Sequence, residues 1–296
     1  MTKESKLGSW RSYLELTKPR VVSLIAFTAV VGMLLSVPTG VPVDRFVFGL
    51  AGIWLAAASA AALNHLIDRR ADAAMTRTQH RPLPRGELSG PAVLVYAIFL
   101  GSVSMLVLYF LVNPLTAVLT FATLIGYALV YTVFLKRATP QNIVIGGGAG
   151  AAPPILGWAA IRGELSAEPL LLFLIIFVWT PPHFWALAIH RRDDYARVAI
   201  PMLPVTHGVE FTGLQIIFYT ILLVIVSIFP YLIGMSGLLY LVGALLLGAM
   251  FLYYAVALHA QPEGDLPLKT FGFSITYLTG IFLLLLIDHY LPLLAN

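Results

Sequence analysis

The sequence predicts an all-α membrane protein of nine spans in a single bundle, with its N-terminus in the cytoplasm and its C-terminus outside. Three observations carry that expectation. Of 296 residues, 59% are hydrophobic and only 11% charged, whereas soluble domains hold about 25% charged residues. Apolar runs of about 20 residues, enough to cross about 30 Å of hydrocarbon, recur near 21–38, 45–64, 92–112, 114–134, 143–161, 169–189, 211–234, 236–258 and 271–292. Of the 18 Lys and Arg, only Arg45 and Arg162 fall in odd-numbered connections, and the other 16 lie in the N-terminal segment and the even-numbered connections. The positive-inside rule puts that second set in the cytoplasm.

Composition also excludes function classes. With 0 cysteines there are no disulfides or thiolate metal sites, so a metal must be held by oxygen or nitrogen. The net charge of +4 does not point to nucleic acid, because the basic residues flank membrane spans and no aromatic-basic recognition motif accompanies them. Glu4 and Glu15 stand among the bases of the first 20 residues, so no organelle transit peptide is expected. The first apolar run lacks a small-residue cleavage site and is expected to remain as a helix.

Span one is preceded by LTKPRVVSL (Leu16–Leu24), which brings Lys18 and Arg20 to the cytoplasmic mouth as topology anchors within reach of a phosphate. Span two runs into NHLIDRRADAAMTRTQHRPLPRG (Asn64–Gly86). Asn64, Asp68 and Asp72 are spaced i, i+4, i+8, so a helix projects their three oxygen donors from one face. Such a set suits Mg²⁺, which takes one or two carboxylates and fills its other positions with water and phosphate oxygens. Arg69, Arg70, Arg77, Arg81 and Arg85 follow, and guanidinium is shaped for bidentate phosphate contact. Carboxylates beside arginines point to a metal-bridged polyphosphate. A basic loop that only fixes topology would explain the arginines, but not the Asn/Asp/Asp register.

Asn113-Pro114, between spans three and four, and Met235-Ser236-Gly237, between seven and eight, read as tight helical hairpins. Lys136 and Arg137 end span four, ahead of Asn142. Span five contains GGGAGAAPP (Gly146–Pro154), whose small residues favour close helix packing or leave room for a bulky ligand. Its Pro153-Pro154 should break or kink the helix.

Span six ends in TPPHFWALAIHRRDDYARVAIPMLP, the second polar stretch. His190 and Asp194, and likewise Asp193 and Arg197, are i, i+4. Four spans separate Asp68 from Asp194, so the two stretches occupy equivalent ends of two four-helix repeats, about 15–134 and 143–258, and can face each other across a cavity. His183 lies two turns deeper than His190, and the spacing puts both on one face. An ionisable residue inside a membrane span is a functional candidate, which singles out His183, with His190 and His65 at the ends of the two polar stretches. Spans seven and eight carry no polar chemistry and read as scaffold or lipid-tail wall. Span nine, about 271–292, brings Ser274 and Tyr277, and Asp288 sits near its outer end.

These stretches resemble the UbiA superfamily of intramembrane prenyltransferases over nearly the whole chain. LTKPRVVSL, the Asn64–Gly86 stretch, YTVFLKRATPQNIVIGGGAGAAPPILGW, TPPHFWALAIHRRDDYARVAIPML and LKTFGFSITYL are similar, in order, to the motifs of the branch that farnesylates haem. The resemblance implies a nine-helix bundle around a central cavity, Mg²⁺-bound farnesyl diphosphate as donor and haem B as acceptor. It implies that Asn64, Asp68, Asp72 and Asp194 hold the metal, with Asp193 beside them. Arg77, Arg81, Lys136, Asn142 and Arg197 would meet the substrate, as would His65, His183 and His190. Where most of the superfamily has an acid four residues before the second-stretch aspartate, this sequence has His190, which favours a haem-related role there. The plasma (inner) membrane of a prokaryote as location, the lipid bilayer as surroundings and a haem A synthase downstream as partner also follow from the resemblance. Two other readings compete: a UbiA-type enzyme acting on a quinone precursor or another aromatic, and a transporter. Against the transporter, the polar groups gather at one membrane face and not at the midplane.

Overall fold

The computed structural model describes residues 9–294, with side chains described as far as Leu291. Glu4 and the C-terminal Asn296 therefore lie outside the described residues. Within them the chain is helical, with no strand. The helices are α1 (Trp10–Leu16), α2 (Pro19–Leu35), α3 (Val43–Ala74), α4 (Gly90–Leu111), α5 (Pro114–Ala138) and α6 (Asn142–Arg162). After them come α7 (Ala167–His190), α8 (Arg192–Arg197), α9 (Leu203–Thr206), α10 (Gly208–Leu232), α11 (Leu238–Ala260) and α12 (Leu266–Leu294).

Eight of these helices are long and apolar enough to cross a membrane, and α1 with α2, which pass that test only together and are bent by 51° at their junction, bring the number to nine if they form one span. The protein is thus a multi-pass membrane protein, with span positions close to the expected ones. The bend has a local cause. Lys18 sits in the left-handed region at φ 49°, and Pro19 opens α2; proline fits the first helical turn but disfavours a helical residue before it. The two short connections are capped hairpins. Asn113 accepts from Thr116 N at 2.8 Å and donates to Ala159 O of α6 at 2.9 Å. At the second, the Asp288 carboxylate accepts from the backbone N–H groups of Gly237 and Tyr240, so this interfacial acid of α12 satisfies the free amides at the start of α11.

Helices α2, α3, α5, α6, α7 and α12 surround a cavity of about 820 Å³, while α4, α10 and α11 contribute nothing to its wall. The last two pack on α7 and α12 and build the largest apolar core there, which makes the seventh and eighth spans scaffold. Glycines of α6 serve both uses open to small residues. A Cβ on Gly157 would meet the backbone of Ala29, and one on Gly32 the backbone of Pro154, so α2 and α6 touch main chain to main chain. Gly146, Gly147 and Gly150 instead face the cavity. The expected break falls at Ala152, between Ala151 and Pro153, and it is mild, for Ala152 keeps helical dihedrals and the helix resumes at once.

Candidate functional site

One face of α3 runs the depth of the cavity. Ile53, Ala56, Ala57, Ala60, Ala61, Asn64, Asp68 and Asp72 all line it, at the three- and four-residue steps that share a helix face. From Ile53 to Asp72 that face extends about 28 Å, at about 1.5 Å per residue. Its small residues leave an apolar tunnel, and its last three turns carry oxygen donors. Because α3 continues ten residues beyond the apolar run, Asn64, Asp68 and Asp72 stay in register on one continuous helix.

Asn64, Asp68 and Asp72 are all buried. Asn64 Nδ2 donates to Asp68 Oδ2 at 2.9 Å, and Asn64 Oδ1 accepts from Lys18 Nζ at 2.7 Å. Lys136 Nζ donates to Asp68 Oδ2 at 2.5 Å, Arg137 stands 3.8 Å from Asp68 Oδ1, and Arg81 Nη1 donates to Asp72 Oδ2 at 2.6 Å. Of the five arginines in the first stretch, only Arg77 and Arg81 line the cavity. Arg85 pairs with Glu87 at the surface, and Arg69 and Arg70 are exposed.

Lys136 reaches Asp68 because α5 changes its winding. Gly126–Leu135 is a π-helix, whose i→i+5 bonding puts residues five apart on one face; the Lys136 N–H bonds Tyr131 O in this way. Tyr127 and Tyr131 therefore join Lys136 in the cavity wall. Sequence reasoning at the α-helical period missed both tyrosines, and no residue pattern announces the π segment. Thr132 Oγ1 donates to Tyr127 O at 2.8 Å and lies 3.5 Å from Asn64 Nδ2. Asn142 is fully buried but outside the cavity wall, and its Nδ2 donates to Lys136 O at 3.3 Å. Its Oδ1 is buried without a hydrogen-bond partner.

The second stretch differs from its sequence reading. The helix breaks at Arg191 (φ −108°, ψ 21°), and α8 begins a new phase at Arg192. The i, i+4 relation of His190 to Asp194 is thereby lost, and His190 is exposed and absent from the cavity wall, unlike His183. Arg197 pairs with Asp194 Oδ1 at 3.4 Å, not with Asp193, which points to solvent. Asp194, expected to join the α3 donors across the cavity, is buried in that pair and does not line the cavity wall. The two polar stretches nevertheless meet, through Arg197 Nη1 to Thr76 Oγ1 at 3.1 Å. What α8 adds to the cavity is Tyr195. Burial raises the pKa of its phenol, with Arg77 opposing.

The three histidines have different fates. His65 is 2% exposed and neither ring nitrogen has a hydrogen-bond partner; it lies off the main cavity. His183 lines that cavity, stacked between Trp179 at 4.1 Å and Phe271 at 4.4 Å. Its Nδ1 lies 2.6 Å from Ser274 Oγ, which itself donates to Phe271 O. That leaves Ser274 as acceptor and assigns the imidazole proton to Nδ1, with the Nε2 lone pair free.

The α3 donors fit a divalent metal. Asp68 Oδ1 is buried without a hydrogen-bond partner, and the set consists of hard oxygens. Among the described residues no three His, Asp or Glu side chains converge into a complete cage. Mg²⁺-type sites need none, since water and phosphate complete them.

Fold and site define an integral membrane protein whose cavity suits a ligand anionic at one end and apolar along its length. Residues 25–285 match the UbiA prenyltransferase family, and the chain belongs to it; it is a membrane prenyltransferase. The Protoheme IX farnesyltransferase of Nitrosococcus oceani is 62% identical over 286 residues, covering 97% of this chain and 96% of that protein. That of Methylococcus capsulatus is 58% identical over 285 residues, covering 96% of each. Among solved structures, a digeranylgeranylglyceryl phosphate synthase shares the fold with a TM-score of 0.79 at 18% identity, over 95% of this chain and 98% of that one. A UbiA homolog from Archaeoglobus fulgidus bound to DMAPP and Mg²⁺ does so at 0.67 and 19%, over 93% and 99%.

Proposed function

We propose that the protein transfers the farnesyl group of farnesyl diphosphate to a vinyl group of haem B, with addition of water, to give haem O. The observation that carries the reading is the single face of α3, apolar and alanine-lined for most of its length and ending in Asn64, Asp68 and Asp72 among lysines and arginines. The near-full-length identity to proteins named Protoheme IX farnesyltransferase supports haem as acceptor.

On this reading the C1–O bond of the donor breaks, and the bonding pair leaves with pyrophosphate. Lys18, Arg81 and Lys136, bonded to Asn64, Asp72 and Asp68 before the substrate arrives, stabilise that developing charge, and Arg77 stands with them in the cavity wall. A Mg²⁺ ion on Asp68 and Asp72 would supply Lewis-acid neutralisation of the leaving group; the Archaeoglobus relative bound to Mg²⁺ supports the choice of ion. The allylic carbon bonds to the terminal vinyl carbon, and water adds to the new cation and loses a proton. Tyr127 and Tyr131 line the cavity beside the site and would exclude bulk water from the first cation. His183, with Nε2 free, is the residue we assign to the haem iron. The chain would work with its N-terminus in the cytoplasm, in a prokaryotic plasma membrane and as two four-helix repeats plus a ninth span, and its product would suit a haem A synthase.

Membranes holding the protein, given haem B, farnesyl diphosphate and Mg²⁺, should yield a haem heavier by one farnesyl group and one hydroxyl. Unchanged haem beside a prenylated quinone precursor would replace this acceptor. In haem titrations followed by the Soret band, His183→Ala should change the spectrum and His65→Ala and His190→Ala should not.

A further inference from the structure

A second cavity, of about 410 Å³, opens at the elbow between α1 and α2. Four cationic side chains line it, Arg11, Lys18, Arg20 and Arg81, against the single carboxylate of Glu15. Lys18 and Arg81 also line the main cavity, where they hold Asn64 and Asp72. Arg11 belongs to the elbow alone; its guanidinium lies over the Trp10 ring at 5.6 Å, and it has no carboxylate partner among the described residues.

Two further features point to an anion. Pro19, Arg20 and Val21 in the wall are the first turn of the 17-residue α2, so the positive end of a helix dipole faces the pocket. No side chain caps that end; Pro19 has no N–H and the Val21 N–H bonds Lys18 O, which leaves the Arg20 N–H. His65 also lines the pocket, 2% exposed and with neither nitrogen paired. Buried polar atoms without partners are rare in folded proteins, and a bound oxyanion would provide an acceptor for the ring N–H.

We propose that this elbow is a second phosphate-binding site, adjoining the diphosphate end of the main cavity and sharing Lys18 and Arg81 with it. Guanidinium groups at a helix N-terminus select phosphate oxygens. The phosphate has two sources of the same chemistry, free pyrophosphate leaving the reaction site or the headgroup of an anionic phospholipid beside the exposed Trp10 and Leu14. The site stands whichever prenyl acceptor the enzyme uses.

The test compares full-length wild type with Arg11→Gln and Arg11→Gln/Arg20→Gln. One arm measures binding of radiolabelled inorganic pyrophosphate in detergent with EDTA, and the other measures phosphatidylglycerol retained by native mass spectrometry, against phosphatidylcholine. The expected result is that one class of bound phosphate weakens tenfold or more in the double variant and partly recovers in Arg11→Lys/Arg20→Lys. Loss in the pyrophosphate arm identifies the free anion, and loss in the phosphatidylglycerol arm the headgroup. Arg11→Gln should keep its Mg²⁺-dependent prenyl transfer, which reports intact folding. Unchanged pyrophosphate binding together with unchanged lipid retention overturns the proposal.

Discussion

Asp68→Asn separates catalysis from stability at the centre of the site. The carboxylate is 2% exposed and accepts from Lys136 Nζ at 2.5 Å and Asn64 Nδ2 at 2.9 Å, with Arg137 3.8 Å away. Stripping one partner from a fully buried ion pair costs roughly 3–5 kcal/mol. Here Lys136 is 16% exposed and opens on the cavity, and the asparagine keeps an oxygen for it, so about 1–2 kcal/mol is expected. Turnover should fall much further. Removing one group that stabilises developing charge costs roughly 10²–10³-fold, and the loss of a metal ligand charge acts in the same direction. Pyrophosphate affinity measured in EDTA should hold or improve, because the variant removes one negative charge where the anion binds. The assay is prenyl transfer in detergent at saturating Mg²⁺, beside thermal unfolding of the same preparations. Turnover within threefold of wild type, or a loss matched by an equal loss of folded protein, would refute Asp68 as a metal ligand.

Asn142→Ala should lower turnover several-fold and leave the Soret spectrum of bound haem unchanged, because Asn142 donates to Lys136 O from outside the cavity wall; an effect as large as that of Asp68→Asn would make Asn142 a binding residue. Gly157→Val forces side-chain carbons into the backbone of Ala29 and should cost about 1–3 kcal/mol, seen as a lower unfolding temperature. Asp288→Ala removes the cap on α11 and should cost about 0.5–2 kcal/mol with turnover per folded molecule unchanged, since Asp288 is remote from the cavity wall. Reporter fusions after His80 and after Asn296 should fall on opposite membrane faces; two cytoplasmic signals would mean that the proposed orientation or span count is wrong.

Spans and the α3 site were legible because both depend on local rules. A run of about 20 apolar residues must be a helix in hydrocarbon, where every backbone amide needs an internal partner. Three oxygen donors four residues apart must share a face so long as the helix continues, and α3 continues to Ala74. The cations that meet those donors were legible in kind, as lysines and arginines around two polar stretches, but not in pairing. Arg81 and Lys136 reach the site, while Arg69, Arg70 and Arg85 do not.

The tertiary structure decided what local periodicity cannot carry. A break at Arg191 reset the helix phase, turned Asp193 and His190 to solvent and left Asp194 to Arg197. A π-helical turn, costing no residue that a pattern would flag, moved Tyr127, Tyr131 and Lys136 onto one wall. Three histidines of equal standing in the sequence were separated by packing: His190 at an open helix end, His65 sealed beside the α1–α2 elbow, and His183 clamped between Trp179 and Phe271 from a different helix. Sequence determines which faces a helix has; which of them meets a cavity depends on distant helices, because burial is a property of the neighbours and not of the residue.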